Sequence, residues 1–135
     1  MTLYLLVKMI IAFGILNVWI IRFNKKTAWR GGDSLSLKEE FQTYGLPIWF
    51  MYIVGFMKIS LSLIIIIGTL NQFFLDPENY TIIKLDAYIF SIMGFLMIGA
   101  ILMHLQINDP LKKSLPAISI LILVIYGVVF STLPG

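Results

Sequence analysis

Four long runs of apolar residues, set apart by short polar stretches, dominate the chain. They cover residues 3–21, 47–70, 87–105 and 115–133, and each supplies the roughly twenty residues an α-helix needs to cross the hydrocarbon of a bilayer. Hydrocarbon offers no partner to a peptide group, so a lone run of this length crosses as a helix. The pattern predicts an all-α fold: an integral membrane four-helix bundle that forms one membrane domain over residues 1–135.

The first run is interrupted by Lys8 and Asn17. Lys8 stands close enough to the end for its ammonium to snorkel to the headgroups. Arg22, Lys25 and Lys26 follow at once as a stop-transfer flank. No charged region precedes the run and no small-x-small site follows it, so a retained helix is expected rather than a cleaved signal peptide.

Between the first and second runs, Leu37, Phe41 and Tyr44 recur at helical spacing opposite Lys38, Glu39 and Gln42. Ser36 with Glu39 forms a capping-box start, Gly45 a stop, and Pro47 the opening of the next helix. A short amphipathic interfacial helix is therefore expected over about 37–44, between the first and second spans. Arg30-Gly31-Gly32-Asp33 reads as a turn. Trp49, Phe50 and Tyr52 open the second span with aromatic anchors. Residues 71–86 are expected to form the second connection, turning at Asp76-Pro77-Glu78-Asn79. Asn108-Asp109-Pro110 is expected to reverse the chain, with Asp109 capping the fourth helix and Pro110 starting it.

Composition strengthens the membrane assignment: 59% of the residues are hydrophobic and 13% charged, against roughly half and a quarter in soluble domains. The net charge of +3 is small, and its bases lie in the connections, which suits contact with membrane lipids and not with nucleic acid. Arg22, Lys25, Lys26, Arg30 and Lys38 in the first connection, and Lys112 and Lys113 in the third, outweigh Lys84 in the second. Connections one and three are thus expected on the cytoplasmic side of a bacterial cytoplasmic membrane. The chain has no cysteine, so any redox role must draw on a bound cofactor or a partner.

Lys58 is the most informative polar position, because a charge deep in a span costs about 2.5–3.5 kcal/mol even on a lenient insertion scale. Met51, Gly55, Lys58 and Ser62 share one helix face, and the small Gly55 and Ser62 would bring that face against a neighbour. Partners for Lys58 are sought in Glu39 or Glu40, and in Asn17, Asp86 or His104. Two outcomes stay open: an architectural lysine that snorkels or fixes register through an ion pair, and a polar site.

His104, the single histidine, suits an interfacial hydrogen bond, or a proton relay or donor to a quinone carbonyl. Without cysteine it makes no metal site. Adjacent Glu39 and Glu40 point in different directions along a helix and cannot act as one acid–base pair. Arg30 beside two glycines fits an interfacial turn or a grip on a headgroup. Lys58, Glu39, Glu40, His104 and Arg30 are the candidate ligand-binding residues. No nucleotide-binding loop, catalytic triad order or zinc-protease motif is present.

These residues, in their order and spacing, resemble the DoxX-like family of small four-helix membrane proteins over nearly the whole chain. The resemblance is carried by Arg30-Gly31-Gly32, Leu37-Lys38-Glu39-Glu40-Phe41, Tyr44-Gly45-Leu46-Pro47, Trp49-Phe50-Met51 and Gly55-Phe56-Met57-Lys58. Gly99-Ala100, Met103-His104-Leu105, Asp109-Pro110 and Leu115-Pro116-Ala117 extend it. The family's name comes from membrane subunits associated with thiosulfate:quinone oxidoreductase. The resemblance implies an accessory or ligand-binding subunit that holds a quinone or a lipid and supports a membrane redox partner protein. A quinone-linked oxidoreductase subunit is the alternative. A proton or solute transporter is another, and it requires a homo-oligomer packed through Gly94, Gly99 and Gly127.

Overall fold

The computed structural model describes residues 1–25, 27 and 29–133; Lys26, one of the bases of the first connection, lies outside them. Helix α1 (Thr2–Leu16) runs on into a π-helical turn, Asn17–Ile21. Then follow α2 (Leu37–Thr43), α3 (Ile48–Phe74), α4 (Tyr80–Gln106), a 3₁₀ turn (Leu111–Ser114) and α5 (Leu115–Thr132). No strand occurs among the described residues, and four helices are long and apolar enough to cross a membrane. Helix α1 packs chiefly on α3 and α4 on α5, while α2 lies against α3.

Ile11, Ile65, Phe90 and Met93 are fully buried in the bundle core. Phe56 and Phe95 are 74% and 76% exposed on its outside, as expected where the surrounding medium is hydrocarbon.

The capping signals act where the sequence places them, with one shift of partner. The Ser36 hydroxyl accepts from the Glu39 N–H (3.2 Å), but the Glu39 carboxylate reaches one residue further back and accepts from the Leu35 N–H (2.6 Å). Gly45, at φ +77°, ends α2. Its N–H donates to the Gln42 carbonyl and that of Leu46 to Phe41, a Schellman closure.

The second connection is shorter than the sequence suggests. Helix α3 continues to Phe74 and α4 begins at Tyr80, so only Leu75–Asn79 remain between them. A helix of 27 residues is about 40 Å long against about 30 Å of hydrocarbon. Its last turns can therefore carry Asn71 and Gln72 without losing backbone hydrogen bonds. The Asn79 side chain caps α4 by accepting from the Ile82 N–H (3.1 Å), which leaves Lys84 and Asp86 on the helix. Asp109 does not cap α5: Pro110 precedes the 3₁₀ turn, and α5 opens after Ser114.

Lys8 does not snorkel. Its residue is 0% exposed, with Nζ 2.8 Å from Asp86 Oδ2 on α4 and donating to Gln72 Oε1 on α3 (2.6 Å). The Tyr4 hydroxyl donates to the same Asp86 oxygen (2.6 Å). Tyr4, Lys8, Ile11 and Ile15 follow one another at helical spacing and are all buried, so the stripe that packs α1 into the bundle carries the lysine inward. An ion pair satisfied by two further hydrogen bonds thus ties α1 to α3 and α4.

Removing one member of such a pair leaves the other charge stranded. Lys8→Met and Asp86→Leu are each expected to lower stability by about 3 kcal/mol, and the double variant to recover most of the loss. Unfolding in mixed detergent micelles measures both; a double variant as unstable as the summed singles would contradict the assignment.

Candidate functional site

The second polar cluster lies at the opposite end of the bundle, where α1 and α4 finish and α3 and α5 begin. It starts with the turn after α1. Arg30 is buried, and its guanidinium donates to the carbonyls of Arg22 and Lys25 and to Glu40 Oε2 (3.2 Å). The two glycines that follow have separate roles. A Cβ on Gly31 would sit 2.7 Å from the Tyr44 ring, so only glycine lets the tyrosine lie there. Gly32, at φ +56°, turns its N–H toward both carboxylate oxygens of Asp109 (3.1 and 3.3 Å).

Asp109 reaches this point through the end of α4. Asn108 takes a left-handed conformation (φ 57°), which asparagine tolerates. The Asp109 N–H then donates to the His104 carbonyl (3.0 Å) and that of Asn108 to Leu105 (3.1 Å). This second Schellman closure folds Asp109 back over His104, and His104 Nδ1 meets Asp109 Oδ2 at 2.7 Å. The aspartate expected as a helix cap thereby orients the histidine instead. His104 Nε2 faces the Tyr44 hydroxyl (3.3 Å) and Glu40 (3.9 Å).

Tyr44 joins the two halves, since its hydroxyl donates to Glu40 Oε1 (2.6 Å) and its ring meets His104 edge to face. Of the candidate residues, Arg30, Glu40 and His104 therefore come together. Glu39 does not, being exposed on the far side of α2. Tyr44 and Asp109 complete the cluster without having been singled out. Tyr44 was legible as an apolar-face position, but nothing in its spacing told of its hydroxyl.

Beneath this cluster a cavity of about 690 Å³ reaches down among the helices to Lys58. Its walls are mainly apolar, with Phe41, Phe50, Val54, Met97 and Ala100 among them. Met51, Gly55, Lys58 and Ser62 share a buried face, and a Cβ on Gly55 would stand 2.7 Å from the Trp19 ring. The π-helical turn that carries Trp19 is closed by the Arg22 N–H donating to the Asn17 carbonyl (2.8 Å), and it widens α1 where the indole enters. Lys58 Nζ lies 5.3 Å from the Trp19 ring centre. Among the described residues, no carboxylate stands within 4.0 Å of that ammonium and it donates no hydrogen bond. Of the five partners sought for it, four are engaged elsewhere, Asp86 with Lys8, Glu40 with Arg30 and Tyr44, His104 with Asp109 and Glu39 with the Leu35 N–H, while Asn17 lines the cavity without bonding to the ammonium.

Burial first, and then the Glu40 carboxylate, hold the Tyr44 hydroxyl well above the usual phenol range. A raised acid favours the fold while it stays protonated, so its contribution is complete below the free phenol value of about 10 and is lost as pH rises beyond it. Tyr44→Phe is expected to lose about 1–2 kcal/mol at neutral pH. It is also expected to show a shallower fall in stability than the parent in strong alkali, measured by thermal unfolding across pH; parallel alkaline slopes would contradict this.

No curated protein and no solved structure gives a significant match to the chain. The DoxX-like family matches residues 5–127, a stretch that contains all of the polar cluster, the cavity walls and Lys58. With that match over most of its length and four helices of membrane-spanning character, the chain belongs to the DoxX-like family.

Proposed function

We propose that the protein is a membrane-embedded binding subunit that holds a quinone-like amphiphile in the cavity and supports a separate redox partner. The observation that carries this is a mainly apolar cavity ending in an ammonium that lies over the face of Trp19 and, among the described residues, has no carboxylate within 4.0 Å and donates no hydrogen bond. Binding sites for small amphiphiles combine apolar walls with a few fixed polar groups. Here the aromatic faces of Trp19, Phe41 and Phe50 suit a flat ring, Lys58 suits an oxygen on that ring, and the apolar walls suit a tail.

The polar cluster acts as a rigid rim. Arg30, Glu40, Tyr44, His104 and Asp109 satisfy one another, so they define the mouth without needing a ligand to hold them. With no cysteine in the chain, thiol redox cannot be its own, and electron transfer is assigned to the partner. The mouth is assigned to the cytoplasmic side of a bacterial membrane. In support, Leu75–Asn79 at the other end carry two acids and no base, while Arg22, Lys25, Arg30, Lys38, Lys112 and Lys113 lie at this end.

Protein purified from bacterial membranes in mild detergent is expected to release a near-equimolar amount of quinone on solvent extraction and chromatography. Ala100→Phe, which fills the cavity from its wall, is expected to abolish that release while keeping the thermal stability of the parent to within about 1–2 kcal/mol. Parent protein that carries no quinone and takes none up on addition would end the proposal.

A further inference from the structure

The two lysines buried in the bundle are treated differently. Lys8 has an aspartate at 2.8 Å, a glutamine oxygen at 2.6 Å and the face of Tyr4. Lys58, only 8% exposed, has the face of Trp19 and, among the described residues, neither a carboxylate within 4.0 Å nor a hydrogen-bond acceptor. A single cation–π contact returns less than a lone charge at membrane depth costs. The fold can neutralise a buried lysine, and it leaves un-neutralised the one that lines a cavity.

The charges on the cavity wall sharpen the point. Arg30 is matched by Glu40 and Lys113 by Asp109 (3.8 Å), and Lys113 also donates to the Gly32 carbonyl. His104 is engaged by Asp109. Arg22, half-buried at the rim, has no acidic partner among the described residues. The matched pairs cancel, and the surplus is positive: Lys58 at the depth of the cavity and Arg22 at its mouth. Ser62 Oγ, one turn beyond Lys58 on the same face, is buried and finds no hydrogen-bond partner among the described residues.

We infer that the cavity selects amphiphiles with an anionic head, an ionised hydroxyquinone or a fatty carboxylate, over neutral molecules of the same size, with the head seated against Lys58. The inference rests on the cavity being an amphiphile site and narrows the class it takes. Trp19 is the positioning residue: its indole lies against the ammonium, and the missing side chain of Gly55 gives it room.

The test is calorimetric titration of the full chain in neutral detergent at neutral pH with two matched pairs. One pair is an alkyl hydroxynaphthoquinone, ionised under these conditions, and its O-methyl ether; the other is a long-chain fatty acid and its methyl ester. The charged member of each pair is expected to bind roughly tenfold tighter. Lys58→Met is expected to remove the preference and Lys58→Arg to keep it. A preference confined to the quinone pair overturns selection by charge and assigns it to the ring. Equal affinity within both pairs for the parent protein overturns the inference while leaving the cavity as a binding site. Absence of binding by all four compounds removes both. The parent comparison decides without the variants, so a poorly folding Lys58→Met leaves the result intact.

Discussion

A charge withdrawn from water into a bilayer must find an opposite charge, a set of hydrogen bonds or a route back to the surface, and the architecture of this protein follows from how its buried charges meet that demand. At one end Lys8, Asp86, Gln72 and Tyr4 answer one another and draw α1, α3 and α4 together. At the other, Arg30, Glu40, Tyr44, His104 and Asp109 form a second set. Between the helices apolar packing alone gives little preference for one register over another, because lipid tails are as apolar as leucine. The polar sets at the two ends supply that preference, and the cavity is the space they hold open.

The set at the mouth is built by backbone closures as much as by side chains. A Schellman closure at Gly45 fixes the end of α2, with Tyr44 beside it, and another at Asn108 brings Asp109 back over His104. Gly32 then joins the turn after α1 to the turn after α4. These elements are far apart in sequence, yet each is stopped within a residue or two of the cluster. The rim is stiff because the positions of its side chains are set by helix ends, where the backbone has few alternatives.

Much of this could be seen in the residues themselves. The apolar runs are long and nearly free of charge, so the four helices were plain, and α2 was marked by Ser36, Gly45 and Pro47. The helix ends were less plain, because Asn71, Gln72, Lys84 and Asp86 look like loop residues and become helical only when the helix is allowed to pass beyond the hydrocarbon. The face shared by Gly55 and Lys58 followed from period alone, as did the absence of a shared role for Glu39 and Glu40. Distance from the helix end puts Lys8 within reach of the headgroups, whereas its place in the stripe of Tyr4, Ile11 and Ile15 carries it inward. The link between His104 and Asp109 depends on a left-handed asparagine, and the contact of Trp19 with Gly55 joins two helices; neither leaves a periodic trace.

The pairing of Lys8 also bears on how the protein is made. Its ammonium is synthesised before its partners, since Gln72 follows 64 residues later and Asp86 later still. At about 5–20 residues per second, several seconds separate the appearance of the lysine from that of its partners. During that interval α1 carries a charge without the counter-charge it meets in the finished bundle. The pairing that ties α1 to α4 therefore belongs to a step of assembly that follows the synthesis of α4.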